Sequence, residues 1–99
     1  MMNPNRAQKL RYNYGITVAQ YEYMVERQGG VCAICKQKPD GTGFCVDHDH
    51  ACCPGSKACA SCVRGLLCSP CNRALGAFRD NVESMKNAIK YIEDGGFFD

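Results

Sequence analysis

Residues 63–72 read VRGLLCSPCN, and the parsing of this stretch decides the fold. A run led by a β-branched residue enters a C-x-x-C pair, so VRGLLC predicts a short strand that ends in a metal knuckle. Ser69 stands where an N-cap belongs and Pro70 at the first helical position, which predicts a helix through Asn72 to about Gly76. Strand, thiolate pair and helix follow one another without a linker.

The matching half of the knuckle lies upstream, at Cys32-Ala33-Ile34-Cys35. Thiolates at C-x-x-C spacing place two sulfurs on one zinc ion, and two such pairs complete a tetrahedral site. Closing the long loop between Cys35 and Cys68 is where such a clip helps folding most. Four thiolates leave no open coordination position, so a zinc on Cys32, Cys35, Cys68 and Cys71 is structural. Buried apolar cysteines or a thioredoxin-like redox pair are the competing readings. A redox site, however, needs one C-x-x-C in a β-α-β setting rather than two matched pairs.

Between the pairs lies FCVDHDHACC, residues 44–53. FCVDH alternates enough for a second short strand. A hard cation such as Mg²⁺ or Mn²⁺ would use the carboxylate of Asp47 and the amide oxygen of Asn72, which directly follows the last thiolate. His48 could take a proton from water, because its ordinary pKa lies near neutrality. In a regular strand residues 47 and 48 point to opposite faces, so the pair requires a bend or a strand end there. Such a set suits phosphodiester hydrolysis. The plain alternative is that Asp47 and His48 are ordinary polar loop residues. Asp49 and His50 read as groups that orient the site, with His50 also able to reach DNA or metal.

Ninety-nine residues make one domain, 1–99, with a modest core that benefits from a staple. Nine are cysteine, an odd number. The polar N-terminus lacks the apolar run of a signal peptide, and no segment is long enough to span a membrane. These features predict a cytoplasmic, reduced, metal-bound chain rather than a secreted disulfide protein. The formal charge of +2 decides nothing, since each zinc on four thiolates lowers it. Affinity for a polyanion must come from local clusters. Arg64, Arg73 and Arg79 flank the second knuckle and Lys57 lies in the loop; all four could contact phosphates, although scattered cations are commonly just solvated surface.

The remaining cysteines include Cys52, Cys53, Cys59 and Cys62. Cys59 and Cys62 form a further C-x-x-C, so a second zinc is expected here, with redox-active thiols as the alternative. Adjacent Cys52 and Cys53 are awkward co-ligands, and Cys45 or His50 could replace one of them.

Elsewhere, residues 1–14 read as a basic N-terminal arm, open to an extended conformation, with Arg6, Lys9, Arg11, Tyr12 and Tyr14. Thr17 and Gln20 form a capping box for a helix that Gly29 and Gly30 stop. KPDGTG, residues 38–43, is a turn whose Asp-Gly favours a hairpin. The segment 51–62 reads as a loop. Asp80 and Glu83 form a second capping box that opens a C-terminal helix, 80–94. Its stripe of Val82, Met85, Ile89 and Ile92 is expected to pack on the core. Phe97 and Phe98 could cover the core or bind a partner.

The order C-x-x-C, VDHDH, VRGLLCSPCN, with the lead-in YGITVAQYEYMVERQGGVCAIC, resembles the phage recombination endonuclease VII family. That family is a zinc-containing branch of the HNH, or His-Me finger, nucleases. The likeness spans about residues 11–80. It implies an α+β fold, a small zinc-stapled ββα-metal core with flanking helices. It implies His48 as general base, Asp47 and Asn72 holding Mg²⁺ or Mn²⁺, and Cys32, Cys35, Cys68 and Cys71 on structural zinc. The best-known member resolves branched DNA as a dimer, which leaves a homodimer and branched or nicked substrates open here. Two positions depart from that member: Cys45 stands where it has a histidine, and Leu75 where it has a glutamate. The expected function is a metal-dependent DNA endonuclease in a bacterial or phage-infected cytoplasm. The rival is a non-catalytic zinc module that binds DNA or protein and has no need of Asp47, His48 and Asn72.

Overall fold

A computed structural model describes residues 4–41, 43–55 and 57–97. Expectations for Phe98 and for the first three residues of the arm lie outside them.

The N-terminal segment is not extended. Pro4–Tyr14 forms helix α1. Pro4 begins it, where a fixed φ and a missing N–H cost nothing. Leu10 supplies the reason for the helix to dock, being 1% exposed in a core with Ile16, Phe44, Val46 and Leu66. Arg6 donates to the Phe44 carbonyl (3.2 Å) and lies over the Tyr21 ring, so one basic residue serves packing.

Helix α2, Val18–Arg27, carries the expected box: the Gln20 amide N–H donates to the Thr17 hydroxyl, and Thr17 N–H to the Gln20 side chain. Tyr21, Met24 and Val25 pack on the core. Gly29 and Gly30 both have positive φ and end the helix. The Asp40–Gly43 turn forms, but the described residues before it contain no strand for it to join into a hairpin.

Strand β1, Cys45–His48, pairs antiparallel with β2, Val63–Leu67, and a short 3₁₀ turn, Ala60–Cys62, precedes β2. These are the two strands expected. Gln28 completes the far side of β2: its side-chain oxygen accepts from Leu66 N–H (2.9 Å) and its NH₂ donates to the Leu66 carbonyl (3.0 Å). Ala33 N–H adds a bond to that carbonyl, which ties the first knuckle to the sheet. An exposed strand edge is thereby occupied by an amide side chain and a loop.

Helix α3, Ser69–Ala77, follows β2 and packs on β1. Its N-cap is Cys68 rather than Ser69, with Pro70 in the first turn and no side-chain cap bond. The strand runs straight into the knuckle, so the cysteine takes the extended cap position and the helix starts one residue earlier. A second small core of Cys32, Leu67 and Cys68, with Ala33, Cys71 and Leu75, surrounds this junction.

Helix α4, Val82–Asp94, is capped by Asn81, whose side chain accepts from Ser84 N–H (2.9 Å). The Asp80–Glu83 box does not form, because Arg79 and Asp80 adopt left-handed φ and the Asp80 carboxylate turns toward Arg64. The stripe also behaves differently from expectation. None of its residues is buried; Val82, Ile89 and Ile92 are all more than half exposed. Phe97 is fully exposed too. Among the described residues no helix is long and apolar enough to cross a membrane.

Candidate active site and cysteine clusters

The bend demanded between residues 47 and 48 exists. Cys45, Val46 and Asp47 face Leu67, Leu66 and Gly65, and the register then shifts so that His48 faces Val63. Arg64 is the extra residue on β2, and a bulge of this kind re-aims side chains. Asp47 and His48, both buried, consequently line one cavity of about 300 Å³ together with Asn72 from α3. Tyr14, His50, Leu75 and Asp80 share its wall. Asn72 is thus brought beside the adjacent pair Asp47 and His48 by the strand pair and the helix after it.

Asp47 is held by Arg64 in a two-pronged ion pair: Nε donates to Oδ2 at 2.7 Å and Nη2 to Oδ1 at 3.1 Å. Nη2 also reaches Asp80 Oδ2 at 3.2 Å. The Asp47 hydrogen bond holds the Arg64 pKa above its ordinary value, against partial burial and with help from Asp80. Arg64 therefore balances the charge of the cavity in this structure instead of projecting freely toward solvent. His50 Nδ1 lies 3.5 Å from Asp80 Oδ2, and its ring is 4.3 Å from that of His48. Asp49 faces its own loop, accepting from Ala51 N–H.

His48 has an orientation that can be read atom by atom. Nε2 lies 3.1 Å from the Cys53 carbonyl oxygen and 3.2 Å from that of Gly55. Carbonyls only accept, so Nε2 carries the hydrogen, and Nδ1 keeps the basic lone pair in the neutral ring.

The sulfurs of Cys32, Cys35, Cys68 and Cys71 lie within 4.8 Å of one another and could hold a metal ion. Crowding splits their acidities. Burial pushes the Cys32 thiol up, but N–H groups of Cys68, Cys35 and Ile34 outweigh it and bring the pKa down to about 6. Burial and the neighbouring sulfurs of Cys68, Cys32 and Cys35 drive Cys71 up to about 12. One thiolate forms readily and the last resists, which is the conflict that a divalent cation at the centre removes.

Cys52, Cys53, Cys59 and Cys62 form a second group with the same spacing limit. Neither Cys45, whose sulfur lies against Ser69, nor His50, which faces Asp80, replaces one of them. Cys52 and Cys62 are joined as a disulfide here, which departs from the fully reduced chain expected. Of the four cations singled out, Arg73 and Arg79 are exposed, while Lys57 is engaged with Tyr12 through its hydroxyl and ring.

Sequence reasoning missed Asp80, read as a helix cap, and Tyr14, read as part of an arm. The signal for Tyr14 was present in Pro4 and in the spacing of Leu10 and Tyr14 on one helical face. No local signal reveals Asp80, because its approach depends on two consecutive left-handed residues.

The sequence model of the family described as recombination endonuclease VII matches residues 7–94. Two curated relatives are each called Gene 59 protein. The one from Mycobacterium phage L5 is 44% identical over 82 residues, covering 80% of this chain and 44% of its own length. The one from Mycobacterium phage D29 is 43% identical over the same length, with the same coverage. The chain thus spans less than half the length of the relatives it matches.

Proposed function

The chain belongs to the recombination endonuclease VII family, and from that membership we propose that it is a metal-dependent DNA endonuclease of the ββα-metal, His-Me finger type. The observation that carries the reading is the shared cavity of Asp47, His48 and Asn72 at the strand bulge.

The donor set fits a hard cation. Asp47 offers a buried carboxylate, Asn72 an amide oxygen, and Mg²⁺ commonly takes only one or two carboxylates while keeping several waters. A carboxylate oxygen has two lone-pair directions, so the ion pair with Arg64 leaves acceptor capacity on Asp47. Mg²⁺ or Mn²⁺ held by Asp47 and Asn72 would polarise the phosphate and stabilise charge on the departing oxygen.

His48 acts as general base through Nδ1. Its Nε2–H is fixed on two carbonyls, so the ring presents a lone pair of set direction to a water, and the imidazolium formed keeps both hydrogen bonds. Arg64 balances negative charge at Asp47 and Asp80, while exposed Arg73 and Arg79 lie where a phosphate backbone can reach them. Cys32, Cys35, Cys68 and Cys71 would hold structural zinc, clasping the first knuckle to the start of α3 and so helping to fix Asn72 beside the strands. DNA is the substrate, with branched or nicked forms among those to compare.

Supercoiled plasmid with Mg²⁺ or Mn²⁺ tests the reading. Wild type should nick, and His48→Ala should lose at least about 100-fold in rate, within the range expected for removal of a general base, with zinc content unchanged. Wild type and variant equally inert with every divalent ion would instead favour a zinc module that only binds.

A further inference from the structure

We infer that Cys52, Cys53, Cys59 and Cys62 form a second zinc site that positions the general base, by fixing the loop whose carbonyls hold His48; this rests on the reading of His48 as that base. Residues 49–62 connect β1 to β2, and among the described ones before Cys62 none is buried. Apolar packing therefore cannot fix this loop, yet it supplies both acceptors for His48. Cys53 contributes a sulfur to the cluster and its carbonyl to Nε2; Gly55, two residues on, contributes the other carbonyl. Cys62 at the far end accepts from the N–H of Asp49, the residue after His48. Cys53 belongs both to the cross-link and to the hydrogen bonds of the base, and Cys62 ties the cross-link to the residue that follows the base.

The spacing of the sulfurs points to zinc. Tetrahedral thiolates at a Zn–S distance of about 2.3 Å stand about 3.8 Å apart. Cys53 and Cys59 are 3.8 Å apart and Cys52 and Cys59 3.9 Å, while Cys62, whose sulfur is bonded to that of Cys52, stands 3.2 Å from Cys59. In the first cluster Cys35 and Cys68 are 3.7 Å apart. A disulfide between Cys52 and Cys62 needs only two sulfurs and does not account for the convergence of Cys53 and Cys59 on it. The disulfide and the zinc are alternative closures of the same loop. A dithiol reductant supplies two electrons and two protons to the Cys52–Cys62 bond, leaving two thiols and itself becoming a disulfide. Zn²⁺ then displaces one proton from each of the four thiols.

The test uses the full chain, purified with zinc under dithiothreitol. Native mass spectrometry should count two zinc ions in wild type and one in Cys59→Ser. The one that remains reports an intact first site. Cys53→Ala, which keeps the carbonyl and removes only the ligand, should also hold one. Long-range ¹⁵N–¹H spectra of the histidine rings should show His48 as a single Nε2–H tautomer in wild type and as a tautomer mixture in both variants. Plasmid nicking should fall about 10–100-fold in kcat, the scale of lost support around a functional group, with KM unchanged. One zinc in wild type, or two in Cys59→Ser, overturns the site. Loss of one zinc with His48 signals unaltered overturns the positioning. Two zincs and a held His48 in a wild type that cuts no DNA would support the coupling and overturn the nuclease reading.

Discussion

Arg64 and Asp47 share a geometry that explains how a carboxylate persists while buried in the cavity. Both carboxylate oxygens accept from one guanidinium, and that guanidinium also bridges to Asp80. Removing the arginine leaves Asp47 nearly enclosed without its partner, whereas a cation on Asp47 offers replacement charge. Arg64→Leu should therefore lose about 1–2 kcal/mol without a hard cation, a reduced figure because the arginine is partly exposed. Added Mn²⁺ should raise its Tm more than that of wild type, as calorimetry at fixed zinc would show. Equal Mn²⁺ shifts in both proteins would mean that Asp47 does not meet the ion. At this scale the sequence was informative where chemistry is local. Asp47 and His48 stand adjacent, and the bend they need could be required from strand geometry alone. Asp80 was not legible, since nothing in Arg79-Asp80-Asn81 announces two left-handed residues in succession. Cys45 and Leu75 now have environments as well: Cys45 lies against Ser69, while Leu75 gives the cavity an apolar wall.

Elements end and begin here by competition between neighbouring side chains. Asp80 could cap α4, but its carboxylate is drawn to Arg64 and His50, and Asn81 takes the cap one residue later. Asn81→Ala should cost about 1 kcal/mol, the usual loss for a side-chain N-cap, read as a lower urea midpoint at unchanged m. Asp80→Asn should leave the helix content of α4 intact; a larger loss there than in Asn81→Ala would return the cap to Asp80. In α3 the cap falls to Cys68 for a different reason, because the strand runs straight into the knuckle and the helix begins at Ser69. Capping boxes are legible because they are local, as Thr17 and Gln20 were; a box whose acid has a better distant partner is not. The stripe on α4 shows a different limit. Periodicity identifies which residues share a face, and it is silent on what that face meets.

At the scale of the whole molecule, the described chain is elongated, 54 × 27 × 20 Å with a radius of gyration of 15.6 Å. A compact domain of this length would have one near 13 Å. The cores are correspondingly small, one under α1 and α2 and one around the first cysteine cluster. Zinc in that cluster would thus be a large share of what holds β2, α3 and the first knuckle together. Chelation of zinc should abolish most cooperative unfolding seen by circular dichroism, and Cys32→Ser should reproduce it; a chelated chain that melts as before would remove the staple from the account. Matched C-x-x-C spacing made this architecture legible, whereas the docking of α1 turned on Leu10, a single apolar residue in a basic segment. In the proposed nuclease this clasp brings Asp47 and Asn72 to one hard cation. The most direct test is Mn²⁺ binding, followed by electron paramagnetic resonance in the His48→Ala background with zinc loaded. One Mn²⁺ per chain should bind, weakened at least about tenfold by either Asp47→Ala or Asn72→Ala with zinc content unchanged. Mn²⁺ affinity untouched by both substitutions would contradict it.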